Sequence, residues 1–77
     1  MVLNDRLIEA FRAKYQSDMK SSVSILSDML KDSPYGHTVP VDHMDRVDKE
    51  VLTFMLAKEK ATYFEAIIKN LKGEENG

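Results

Sequence analysis

The sequence predicts an all-α fold: an antiparallel two-helix hairpin with helices over about residues 4–31 and 41–72. Two observations carry the prediction. Apolar residues recur at steps of three or four through two long stretches, the spacing of one helix face. Between them, Pro34, Gly36 and Pro40 interrupt that pattern within a few residues.

The first helix opens at Leu3-Asn4-Asp5. Asn4 suits the N-cap, because its side-chain oxygen can accept from the free N–H groups of the first turn, and Leu3 with Ile8 has the spacing of a hydrophobic staple. Asp5 and Glu9 put negative charge at the positive end of the helix dipole. The apolar face runs through Ile8, Phe11, Tyr15, Met19, Val23, Leu26 and Leu30 at about 3.7 residues per step, close to a helical turn. Leu7, Ile25 and Met29 broaden it. Serines 17, 21, 22, 24 and 27 weaken the middle, since serine is a middling helix former. Read as one continuous helix, this middle places Ser22 at the contact, where a small side chain lets the partner backbone approach. The alternative is a break near Ser21–Ser24 that gives a monomeric three-helix bundle.

Pro34 disfavours a helical Ser33, so the helix stops near Lys31 and residues 32–41 form a turn. The second helix starts either with Pro40 at its first position or with Asp42 as N-cap. Its main stripe is Met44, Val47, Val51, Phe54, Ala57, Ala61, Phe64, Ile68 and Leu71, and Leu52, Met55 and Leu56 add a second, partial stripe. Lys69 and Lys72 suit the last turn and Gly73 is a natural stop. Residues 1–73 therefore form one domain and 74–77 a frayed acidic tail.

A connection of about ten residues makes the helices antiparallel neighbours. Setting Leu30 against Met44 brings Leu26 to Val47, Val23 to Val51, Met19 to Phe54, Ile8 to Phe64 and Leu3 to Leu71. Tyr15 then lies opposite Ala57 and Ala61, a large side chain facing two small ones. Two helices cannot cover each other's broad faces, which leaves Leu7, Ile25, Met29, Leu52, Met55, Leu56 and Ile67 for a second contact. Half a dozen such side chains, buried at roughly 1.5–3 kcal/mol each, give on the order of 10 kcal/mol before association costs. With 77 residues and no cysteine, neither disulfides nor thiolate zinc sites can brace so small a core. A homodimeric four-helix bundle of coiled-coil character is the simplest closed solution.

Charge narrows the function classes. Eleven basic and 13 acidic side chains give a net charge of −2, which comes from Glu74 and Glu75 because both helical segments are neutral. No basic stripe advertises phosphate binding, so nucleic acid is disfavoured. No apolar run is long enough to span a membrane, and the N-terminus lacks a signal-peptide pattern, so the expectation is a soluble cytoplasmic protein.

Candidate chemistry is sparse. His37, His43, Asp42 and Asp45 are the only residues of metal-ligand type that cluster, and no pair has the helical spacing that fixes two ligands on one face. Capping aspartates and an exposed histidine explain them as well, so no metal and no cofactor is expected. The serines lack a paired histidine, and there is neither a Gly-x-Ser-x-Gly turn nor a Gly-rich phosphate loop. Glu9 and Glu65 come near each other without a pocket. These features argue against an enzyme and leave no catalytic residue to name. In the loop, Tyr35 and His37 supply aromatic content that a passive connection does not require, a contact site unless Tyr35 folds back to cap the hairpin.

Asn4-Asp5-Arg6-Leu7 opening a helix, then Pro34-x-Gly36-His37 and Pro40 before a second long helix, resembles short uncharacterised proteins of tailed phages infecting marine bacteria. The resemblance covers most of the chain, with a departure from the family's longer Pro/Gly loop. It implies a helical hairpin of phage origin acting in the host cytoplasm, and supplies no activity. The expectation is thus a non-enzymatic protein that self-associates and binds a macromolecular partner, such as a phage-encoded modulator of a host protein. A nucleic-acid accessory protein using Arg6, Arg12, Lys14 and Lys20 is the second reading, and a virion or scaffold component the third.

Overall fold

Asn4 caps the first helix. Its Oδ1 accepts from the Leu7 N–H at 3.0 Å, and α1 runs from Asp5 to Met29. The computed structural model describes residues 2–31 and 38–76, with side chains through residue 73. The expected turn at Pro34 and Gly36, together with Tyr35 and His37, lies outside the described residues. The serine-rich middle of α1 holds as one unbroken helix, which overturns the three-helix alternative. Ser22 is only 2% exposed and sits at the helix contact, so a small residue does occupy the closest approach.

The second helix, α2, spans Val41–Asn76. The helix begins at residue 41 as expected, but neither expected placement of Pro40 and Asp42 is the one adopted. Pro40 stands just before the helix, its carbonyl accepting from the Met44 N–H at 3.2 Å, while Asp42 lies within the first turn. Gly73 does not end the helix. Its backbone stays helical, and nothing lies within 4 Å of the point where a Cβ would sit. A glycine stops a helix when the next residues turn back through a left-handed conformation. Here the chain simply continues outward.

The two helices pack as an antiparallel hairpin, a rod 60 × 17 × 13 Å across its principal axes. Its seam departs from the apolar stripes in an informative way. In α2 the buried and half-buried positions are His43, Val47, Glu50, Phe54, Ala57, Ala61, Phe64, Ile68 and Leu71. These steps alternate strictly between four and three, a spacing of about 3.5 residues that keeps two long helices in contact along their length. In α1 the same spacing runs through Ile8, Arg12, Tyr15, Met19, Ser22, Leu26 and Met29, with Asp18 half-buried beside it. The apolar stripe of α1, at about 3.7 residues per step, drifts off this line. Val23 and Leu30 are therefore 52% and 70% exposed, and Met44 and Val51 also slide to the flank.

Register is fixed by three rings. Phe11 and Phe64 lie with centroids 5.9 Å apart, Tyr15 and Phe64 at 5.6 Å, and Phe11 and Tyr15 at 6.0 Å. Phe64 thus meets α1 about one turn further along than the Ile8 neighbour expected from the stripes. Among the described residues, buried apolar side chains are few: Ile8, Ala57 and Ile68. Many large apolar side chains, Leu7, Leu30, Met44 and Ile67 among them, stay exposed.

Candidate functional site

A heptad-spaced seam crossed by drifting stripes leaves apolar side chains on both flanks of the rod. Near the connection, Met29, Leu30, Val39, Met44, Val47 and Val51 line an open groove of about 530 Å³, and His43 is also in its wall. His43 takes the seam position that apolar spacing assigned to Met44. Its Nε2 lies 3.2 Å from the Met29 carbonyl oxygen, one of the last-turn carbonyls that α1 cannot satisfy internally. The histidine expected to be exposed is half-buried and supports the helix end. Met29, expected on the outer face, is likewise half-buried in the seam.

The other flank carries most of the remaining residues expected at a second contact. Two shallow grooves of about 300 and 310 Å³ lie end to end along it. Asp18, Ser21 and Ile25 from α1 and Thr53 from α2 line the first, Tyr63 and Ile67 the second, and Leu56 and Lys60 belong to both. Leu7, Ile25, Leu52, Leu56 and Ile67 are each between 43% and 55% exposed. Met55 falls elsewhere: it follows Val51 by four residues and shares the flank of Met44. The expected set of seven is therefore divided between two faces and the seam.

Electrostatics centre on Arg12. Its Nε and Nη2 donate to the two Glu65 carboxylate oxygens at 2.6 and 3.0 Å, and its Nη1 donates to Glu9. The two carboxylates expected to approach each other do so through this guanidinium. Hydrogen bonding from Arg12 holds the Glu65 carboxyl below the usual carboxylate range, and the same bonds keep Arg12 more firmly protonated than a free guanidinium. Lys14 is paired with Asp18 at 3.1 Å. Two of the four cations that the nucleic-acid reading relies on are thus already turned to carboxylates.

Sequence reasoning missed the Arg12–Glu65 bridge and the three-ring cluster. A strict 3.5-residue fit through His43 and Glu50 was the signal that leads to both, because it shifts the register toward Phe11 and Arg12. Among the described residues, no group of three or more His, Cys, Asp or Glu side chains is placed to hold a metal ion. Tyr35 and His37, the expected loop contact, lie outside the described residues. No described helix is long and apolar enough to cross a membrane. Neither a known protein family, nor a curated protein, nor a solved structure matches the chain.

Proposed function

We propose that this hairpin is a non-enzymatic interaction protein that works as a homodimeric four-helix bundle, its helices packed in coiled-coil fashion, and binds a macromolecular partner. The carrying observation is surface. The chain exposes 6380 Å². A compact protein of 8.8 kDa exposes about 4,800 Å². The radius of gyration, 18.0 Å, compares with about 11.5 Å for a compact domain of this length. Docking two such rods along one 60 × 17 Å face would bury about 1,000 Å² per chain, on the order of 2,000 Å² in all, which lies within the range for permanent homodimers.

Dimerisation uses one flank and leaves the groove at the connection end for the partner. The resemblance of the helix starts and loop to short phage proteins supports a phage-encoded modulator of a host protein, acting in the host cytoplasm. Pairing of Arg12 and Lys14 with acidic side chains supports the nucleic-acid reading less. Sedimentation equilibrium at tens of micromolar tests the proposal. The expected mass is twice 8.8 kDa. A mass of one chain, with the helical content retained, overturns it.

A further inference from the structure

We infer that the second copy docks on the Ile25–Leu56–Ile67 flank, about a two-fold axis crossing α1 at the level of residue 16 and α2 between Glu59 and Lys60. The inference rests on the dimer reading above and says which surface makes it and in what register. Its basis is a symmetry in the exposed side chains. Along α2 the grooves on this flank are lined by Thr53, Leu56, Glu59, Lys60, Tyr63 and Ile67, and exposed Leu52 stands behind them, one turn before Leu56. The order is self-complementary when reversed: Leu52 meets Ile67 of a second copy, Leu56 meets Tyr63, and Glu59 meets Lys60. Along α1 it presents Leu7, Phe11, Lys14, Asp18, Ser21 and Ile25. Reversed about residue 16, Leu7 meets Ile25, Phe11 meets the small Ser21, and Lys14 meets Asp18.

A two-fold contact is isologous, so any patch on the axis must be complementary to its own reverse. One axis must also serve both helices at once, and here it does. Phe11 stands across from Phe64 and Arg12 from Glu65, so in an antiparallel pair residue 16 stands across from residues 59–61. The two centres fall at one level of the rod. An axis running through both lays α1 on its own copy and α2 on its own copy, each pair antiparallel. At the centre, the Lys14–Asp18 ion pair within each chain closes into a ring of alternating charges. The Glu59–Lys60 pairs repeat that arrangement beside it. Apolar contacts then extend outward in both directions, over the two grooves that meet at Leu56 and Lys60.

The opposite flank fails the same requirement. It carries Met44 and Val51 toward the connection but Lys58 and Glu65 toward the open end. Reversal that sets Met44 on Glu65 also sets Val51 on Lys58, an apolar side chain on a charged one in each case. At full length this flank is therefore less complementary to its own reverse than the Ile25–Leu56–Ile67 flank.

The absence of cysteine lets single substitutions report the geometry. Lys60→Cys places the two thiols one residue apart along the helices, about 1.5 Å of rise, and mild oxidation should link the chains. Leu52→Cys should not link to itself, since its copies lie about 22 Å apart along the helices. Mixed with Ile67→Cys it should give the cross-linked heterodimer. Lys58→Cys, on the other flank, should stay unlinked. Glu59→Lys should weaken the dimer roughly tenfold at low salt by setting lysines against lysines, and adding Lys60→Glu should restore it. A one-chain mass for the unmodified protein removes the dimer and this interface with it. A two-chain mass with Lys60→Cys unlinked leaves the dimer standing and overturns this face, whether or not Lys58→Cys links.

Discussion

Truncating two aliphatic residues of α1 separates the seam found in the structure from the one that apolar spacing suggests. Ile8 and Val23 both belong to the apolar stripe, but Ile8 is 7% exposed and Val23 52%. Ile8→Ala removes packed methyl groups and leaves a cavity, which costs about 2–5 kcal/mol. A core of this size supplies only about 3–5 kcal/mol, so the variant should be largely unfolded unless association props it up. Val23→Ala removes two carbons worth ~0.8 kcal/mol each when buried, and half exposure halves that. Alanine's better helix propensity returns about 0.5 kcal/mol, so the net cost is close to 0.3 kcal/mol. Urea unfolding followed by circular dichroism at 222 nm, at one fixed chain concentration, measures both. Equal losses for the two variants would refute the 3.5-residue seam and restore the contact line through Val23.

Three further outcomes follow from local geometry. Gly73→Ala should stabilise by about 0.4–1 kcal/mol, because the backbone there is helical with room for a Cβ, whereas a destabilising result would mean a left-handed stop. Asn4→Ala should cost about 1 kcal/mol and speed hydrogen exchange at Leu7, the amide that the Asn4 side chain holds; unchanged exchange would show that the cap contributes nothing. The Glu65 carboxyl titrates below its ordinary 4.5 in the folded chain, so its stabilising contribution is complete above that value and is lost as pH falls through the lowered one. Melting temperatures of the parent should therefore fall more steeply on acidification than those of Glu65→Gln, and parallel curves would remove the Arg12 bridge from the account.

The helices and their hairpin were legible in the sequence because they rest on local rules. Asn4 caps where a side-chain acceptor can reach the first-turn amides, and Pro34 with Pro40 separates two long amphipathic stretches. Ser22 was placed correctly for a packing reason, since a small residue within an apolar face marks close approach. The seam was harder. Spacings of about 3.5 and 3.7 residues differ by only about one residue over six steps, so the two contact lines coincide at Ile8 and part company by Val23. In α2 the seam takes His43 in place of Met44 and Glu50 in place of Val51, polar residues that hydrophobic patterning discards. Arg12–Glu65 depended on the same shift, because an ion pair between helices is legible only once the register is known. The end of α2 was misjudged on composition alone: Gly73 permits a stop without compelling one.

The placement of the rings and the Arg12 clasp bears on how the rod opens. A hairpin is tied covalently at one end, so thermal splaying is cheapest at the other. Phe11, Tyr15 and Phe64, with Arg12 fastened to Glu65, lie within about three turns of the start of α1, on the side where prying would begin. Between that clasp and the connection lies the serine-rich stretch, which has the least side-chain mass to hold it. The motion this favours is a bowing of the mid-section with both ends shut, rather than a zipper running in from the tip. At concentrations low enough to keep single chains, amide exchange should then be slowest around residues 8–15 and fastest, away from the helix ends, around residues 17–24.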